Sequence, residues 1–151
     1  MFKLSQTDID INILKASLLD AKAGAYVSFE GWVRDTNDSR HVLQLEYQAY
    51  ETLALKEGAK ILEEAQTRFG INGAACVHRT GSLQIGEIAV WIGVTCEHRQ
   101  EAFEACRYII DEIKTRLPIW KKETYTDGSS GWVNCRQHAH AEEINQEVGV
   151  S

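Results

Sequence analysis

The chain has a single proline, Pro118, and it stands at the end of its longest helical pattern, Glu97–Lys122, EHRQEAFEACRYIIDEIKTRLPIWKK. Proline offers no backbone N–H and disfavours a helical residue before it, so the helix must close by Leu117 and the chain must change direction there. Upstream of it, after Thr95 or Cys96, residues Phe103, Cys106, Ile110, Ile113 and Leu117 recur at three and four residues, which predicts an amphipathic helix burying that face. Off the face lie His98, Arg99, Arg107, Lys114 and Arg116, and Lys121 and Lys122 follow the break. This stretch holds six Lys/Arg against five Asp/Glu, in a chain of formal net charge -6. A locally cationic region in an acidic chain points to an anionic ligand. Reversal at Leu117-Pro118 is expected to bring Lys114, Lys121 and Lys122 to one pocket.

With 151 residues, 44% of them hydrophobic, the chain can build one domain with a real core. The excess of 22 Asp+Glu over 16 Lys+Arg argues against non-specific nucleic-acid binding, which needs positive surface to displace counterions. The N-terminal MFKLSQTDID lacks the apolar centre of a secretory signal, and no window approaches about 18 apolar residues. The expectation is a cytoplasmic protein without membrane attachment. Cys76, Cys96, Cys106 and Cys135 are too widely spaced for a CxxC pair, so ordinary thiols are expected, with Cys106 in the core.

The rest of the chain alternates helix and strand. Asp10 caps a short helix through Ile11, Ile13, Leu14, Leu18 and Leu19 that should stop near Gly24, and Ala25–Arg34 alternates as a strand in which Gly31 marks a bulge or close approach. Arg34 ends that strand at the polar run 35–40. A second strand spans His41–Ala49. A helix over Glu51–Phe69 closes at Gly70, and replacing its interior Gly58 by Ala should help by about 1 kcal/mol if its dihedrals are helical. Strands follow at Ala74–His78 and Ile88–Thr95, joined by a turn-rich connector, Thr80–Glu87; Ile119–Tyr125 and Trp132-Val133 flank a turn at Asp127–Gly131. This order implies an α+β domain with a mixed or antiparallel sheet. The domain is expected over 1–136, with a polar tail at 137–151.

Several chemistries can be weighed on these residues. Cys96 and His98 supply two ligands of the four a structural zinc needs, so no metal site is expected. A Cys96 nucleophile would gain from a helix start and a neighbouring His, but sequence adjacency does not bring reactive atoms together. Neither GxGxxG nor GxxxxGK[ST] occurs. The cations remain: Lys114 as acid, base or nucleophile, and Arg34 and Arg99 as paired donors to phosphate or carboxylate. The residues alone leave an anion-handling enzyme and an interaction module both open.

The segment Val77–Glu123, VHRTGSLQIGEIAVWIGVTCEHRQEAFEACRYIIDEIKTRLPIWKKE, with FEGWVR at Phe29–Arg34 and LEYQAY at Leu45–Tyr50, resembles the large catalytic subunit of molybdopterin synthase. The combined order HRxG, IGE, HRxxAF, K and PIWKKE is specific to that family, whereas each piece alone is not. The resemblance implies an α/β hammerhead fold with a small subdomain. It also implies a homodimer that binds a small ubiquitin-like sulfur carrier at each end, a two-plus-two heterotetramer. The carrier ends in a Gly-Gly thiocarboxylate and gives sulfur to cyclic pyranopterin monophosphate, forming the dithiolene of molybdopterin. No cofactor is required of the large subunit.

By the same resemblance Lys114 is the essential lysine, acting as acid, base or covalent handle, and Lys121 a second functional lysine that holds a carboxylate or phosphate. Arg34, His98 and Arg99 are the implied anion-binding set. Lys122 and Glu123 complete the binding segment, and Arg136 occupies a C-terminal basic position. The alternative is a noncatalytic adapter that keeps only the carrier-binding surface. After Arg34 the run DTNDSRH lacks the Gly of some relatives, and nothing after Arg136 matches the family.

Overall fold

In a computed structural model, residues 1–134 are described, and two sheets share the chain unevenly. The first has the order β1-β5-β7-β2: β1 (Phe2–Ser5), β5 (Gly73–Arg79), β7 (Ile88–Cys96) and β2 (Ala25–Trp32), with β1 parallel to β5 and the other pairs antiparallel. The second is antiparallel: β4 (Arg40–Ala49) pairs with β8 (Ile119–Tyr125) on one side and with β3 (Thr36–Asn37) and β6 (Gly81–Gln84) on the other, and β9 (Ser130–Asn134) extends β8. Three helices, α1 (Ile11–Ser17), α2 (Glu51–Phe69) and α3 (Arg99–Arg116), complete the described chain. This is the expected α+β hammerhead arrangement, its second sheet curled as a half-barrel.

Two clusters hold it together. The larger sandwiches α2 and α3 against β5 and β7 through Ile61, Ala65, Cys76, Ile92, Cys106 and Ile109. The smaller gathers Val33, Val42, Leu45, Leu83 and Ala89. Tyr47 packs against both, so it marks their seam.

Local chemistry explains most boundaries. The Asp10 carboxylate accepts from Ile13 N at 3.2 Å, as an N-cap should, but α1 ends at Ser17 rather than near Gly24 because Asp20 opens a turn by accepting from Lys22 N at 2.9 Å. Gly70 closes α2 in the left-handed region, φ 62°, where a side chain would be strained. The ladder of β2 on β7 slips between Gly31 and Trp32, and a Cβ on Gly31 would lie 2.8 Å from Val90 Cγ1, so both the bulge and the close approach are present. Leu117 leaves the helix with φ -75° and ψ 134°, the extended geometry a following proline demands.

Further features depart from the expectations or add to them. Phe103 is 61% exposed, because the buried face of α3 is Ala102, Ala105, Cys106, Ile109 and Ile113, rotated by one residue toward its alanines. The connector after β5 contains strand β6, with Gly81 and Gly86 supplying positive φ at its ends. Polar run 35–40 is a tight hairpin, β3 to β4, whose turn residues Asp38 and Ser39 take positive φ. Gly58 is buried, and a Cβ there would meet the Phe2 ring at 2.3 Å. Cys135, Arg136 and the tail over 137–151 lie outside the described residues.

The Gly58 geometry reverses the propensity argument. Gly58→Ala should lower the free energy of unfolding by about 1–3 kcal/mol, the usual cost of overpacking, because the Phe2 ring and β1 must move. Urea unfolding checks this; Gly58→Ala combined with Phe2→Leu should recover part of the loss, and an unchanged midpoint for the single variant would show that β1 yields freely.

Candidate active site

The residues after Pro118 form β8, and strand alternation sorts their side chains at once. Lys121, Glu123 and Tyr125 share one face of the sheet, whereas Lys122 points to the other, its ammonium 5.7 Å from the Trp132 ring. The two lysines therefore cannot enter one pocket, which corrects the expectation of a three-amine cluster.

Glu123 is the centre of the inward face. It is 2% exposed, and both oxygens are engaged: Asn37 Nδ2 donates to them at 2.9 and 2.8 Å, the Tyr125 hydroxyl donates at 2.6 Å, and Lys121 Nζ lies 3.2 Å away. Burial by itself would raise the pKa of this carboxyl; the Asn37 and Tyr125 hydrogen bonds and the Lys121 charge outweigh burial and hold it below its ordinary value. Its acceptor positions are used within the protein, so Glu123 is built to place Lys121, whose side chain is 19% exposed. Arg40 stacks over Tyr125 at 3.6 Å and pairs with Asp127 at 3.0 Å, extending the network to the turn before β9.

Across β4 the same face continues. Tyr47 is the register partner of Lys121, and its ring meets the His78 imidazole edge-on, centroids 5.1 Å apart. His78 Nδ1 lies 2.7 Å from the Arg79 carbonyl; burial pushes the ring down to about 4, with the positive charge of Lys114 adding to the fall and the carbonyl contact opposing it. Lys114 is exposed in the last turn of α3, near enough for its charge to act on His78. His78, Tyr47, Lys121 and Glu123 form one continuous row drawn from β5, β4 and β8, and Lys114 of α3 acts on its His78 end through charge. His78 and Tyr47 carried no assigned role in the sequence, although His78 opens the HRxG piece of the family motif and Tyr47 lies within LEYQAY.

The other candidates divide. Arg34 is exposed just beyond β2, three residues and so at most about 11 Å of chain from Asn37. His98 and Arg99 are exposed at the opposite end of α3, where His98 Nε2 lies 3.6 Å from Glu97. Fifteen residues of helix separate Arg99 from Lys114, about 22 Å at 1.5 Å per residue. Arg116 is committed elsewhere, tying α3 to α2 through Glu57, Glu64 and Glu112 at 3.2, 2.6 and 3.2 Å. Cys96 is buried with its thiol 3.9 Å from the Gly70 carbonyl, and no group of three or more His, Cys, Asp or Glu among the described residues is placed to hold a metal ion. An open cavity of about 200 Å³ between α1 and β2, lined by Lys15, Leu19, Asp20, Tyr26 and Thr95, contains none of the row.

The family profile described as MoaE protein matches residues 4–116, three quarters of the chain. The chain belongs to the MoaE family. It is 41% identical over 134 residues to a molybdopterin synthase catalytic subunit of Nostoc, covering 88% of this chain and 81% of that protein. Against the corresponding protein of Pyrococcus abyssi it is 44% identical, covering 85% and 88%. Among solved structures, molybdopterin synthase from Staphylococcus aureus superposes with a TM-score of 0.83 at 36% identity, covering 87% of this chain and 96% of that one. A complex of subunits 1 and 2 of the molybdopterin-converting factor from Helicobacter pylori superposes at 0.72 with 25% identity, covering 87% and 89%. The MoaE core thus includes β5, β4 and α3 with Lys114, and the structural matches carry it through β8.

The depressed pKa of Glu123 makes a pH prediction. A carboxylate with a lowered folded-state pKa stabilises the protein above its unfolded-state value and loses that contribution as pH falls through the folded one. Glu123→Gln should cost about 1–3 kcal/mol near neutral pH, and the gap from the unsubstituted protein should close on acidification. Unfolding free energies measured from about pH 7 down to about pH 3 check it; a gap independent of pH would mean that the charge on Glu123 contributes nothing.

Proposed function

We infer that this chain is the catalytic subunit of a molybdopterin synthase, moving sulfur from the C-terminal thiocarboxylate of a small ubiquitin-like carrier to cyclic pyranopterin monophosphate. The single observation that carries the reading is a MoaE chain in which Lys114 ends α3 and Lys121, braced by Glu123, follows on β8 across the Pro118 break. Sulfur comes from the carrier, and two sulfurs are inserted per product, so a spent carrier leaves and a second charged one arrives. Opening of the cyclic phosphate accompanies the conversion. The large subunit contributes binding, orientation and proton handling.

Roles follow from position. Lys121, held 3.2 Å from the Glu123 carboxylate, presents its amine to the carrier's thiocarboxylate or the substrate phosphate, and Arg34 adds paired donors from the adjoining loop. Lys114 forms no ion pair among the described residues and stands exposed in the last turn of α3, which suits a group that exchanges protons or forms a transient bond. His98 and Arg99 cannot reach the same substrate within one protomer at about 22 Å. A homodimer that brings the start of one α3 to the end of its partner's completes the anion site, and with one carrier on each subunit gives a two-plus-two assembly. A cytoplasmic site of action accords with this reading.

Two experiments test it. Lys114→Ala should keep its fold and its carrier affinity but lose most single-turnover sulfur transfer to saturating precursor. Lys114→Arg, which keeps charge without a neutral amine, should be nearly as impaired. Normal rates in both variants would remove Lys114 from the chemistry, and a stable carrier complex that never yields dithiolene from the unsubstituted protein would favour the adapter.

Subunit sharing predicts complementation. Arg99→Ala and Lys114→Ala chains, each inactive alone, should regain about a quarter of full activity when dissociated and randomly re-associated, because each mixed dimer then holds one intact site of two. No recovery from verified mixed dimers would place both residues' functions within a single protomer.

A further inference from the structure

The hairpin over residues 35–40 does more than turn the chain. Asn37 and Arg40 are register partners across it, and both reach over to β8. Arg40 stacks on Tyr125, while Asn37 Nδ2 donates to Glu123 Oε1 at 2.9 Å and to Oε2 at 2.8 Å. An ionised carboxylate has about four acceptor positions. The Tyr125 hydroxyl takes one on Oε2 at 2.6 Å, and Lys121 Nζ takes one on Oε1 at 3.2 Å. Among the described residues Asn37 alone reaches both oxygens, and rotation of the carboxylate about its last bond would break that pair of contacts. The amide therefore sets the plane of the group, and the plane sets which oxygen faces Lys121. An amide suits this place because its two hydrogens come without charge. A second cation here would compete with Lys121 for the carboxylate, and an aspartate would repel it.

We propose that Asn37 is a positioning residue of the anion site: by holding both oxygens of Glu123 it aims Lys121 at an oxyanion, phosphate or thiocarboxylate, and it ties to β8 the hairpin that follows Arg34. The proposal rests on the role given to Lys121 above. A lysine side chain has many rotamers, and ordering it before the ligand arrives spares affinity the entropy of ordering it afterwards. Arg34 shares the anchor, since Val42 N donates to the Asp35 carbonyl at 2.7 Å and closes the base of the hairpin one residue beyond it.

The test uses the full chain, with cyclic precursor and thiocarboxylated carrier titrated as separate ligands. Asn37→Ala should weaken binding of at least one of them by about 2- to 10-fold, the range set by one net hydrogen bond, and the loss should lie in KM more than in kcat. Loss with the precursor alone identifies phosphate as the oxyanion, and loss with the carrier alone identifies the thiocarboxylate. The ordering of Lys121 is read directly by NMR relaxation at its Cε, where the order parameter should fall by about a third or more in Asn37→Ala. If Asn37 served hairpin stability only, the unfolding midpoint would drop while Lys121 stayed as ordered as before, and that result overturns the proposal. In a Glu123→Gln background Asn37→Ala should add less than about twofold, because it acts through that carboxylate; losses that multiply would overturn the route. If Asn37→Ala does not fold, Asn37→Leu replaces it, with a similar shape and no donors. A chain that binds both ligands, and whose Asn37→Ala variant binds them equally well, overturns the role of Asn37 alone. An unsubstituted chain that binds neither overturns the Lys121 assignment and this proposal with it.

Discussion

The reversal at Leu117-Pro118 is the constraint on which the two halves of the molecule depend. Leu117 and Ile119 are both buried in the larger cluster, 1% and 2% exposed, so α3 cannot end without delivering the chain to the core. The Pro118 carbonyl accepts from Tyr50 N at 3.1 Å, which ties the reversal to the junction of β4 and α2. From Ile119 onward the chain runs antiparallel to β4, and the second sheet is committed. A proline here both stops the helix and restricts Leu117 to the extended geometry that the turn needs. The functional lysines lie across this join because α3 supplies one amine immediately before it and β8 the other immediately after.

The cations that survive in the site are those the acidic chain leaves available. Arg116 is surrounded by three carboxylates, Arg40 is spent on Tyr125 and Asp127, and Arg79 reaches Asp8 at 3.2 Å. Each stabilises the scaffold. Lys121 and Lys114 are treated in opposite ways: the first is pinned by a buried carboxylate with four polar contacts, and the second forms no ion pair among the described residues. Fixed charge suits the binding of an anion, and a loosely held amine suits proton transfer or attack. The difference between the two lysines is a difference in their neighbours.

Much of the architecture was legible because its signals are local. Gly70 stops α2 through backbone freedom, Asp10 caps α1 through its side chain, and Gly31 marks a bulge where a Cβ would strike Val90. Most of the missed features depend on distant partners. β1 is four residues long and exists by pairing with β5, more than seventy residues away, and β6 by pairing with β4. Gly58 is required because the Phe2 ring lies on α2, which helix propensity does not register. Phe103 misled the assignment of the buried face because small alanines, weak in any hydrophobic pattern, are what let α3 approach the sheet closely.

By itself the sequence determined the α+β class, the end of α3 at Pro118, the family and the lysines worth testing, since these follow from residue identity, periodicity and motif order. Tertiary structure decided which of those residues share a site. It separated Lys121 from Lys122 by strand alternation, converted Glu123 from a ligand contact into a brace, set Arg99 about 22 Å from Lys114, and brought His78 and Tyr47 into the row. The physical reason is that a side chain's direction is set by the ladder and packing of its own element, while its neighbours are set by elements far away in the chain. Spacing along the sequence carries the first of these and not the second.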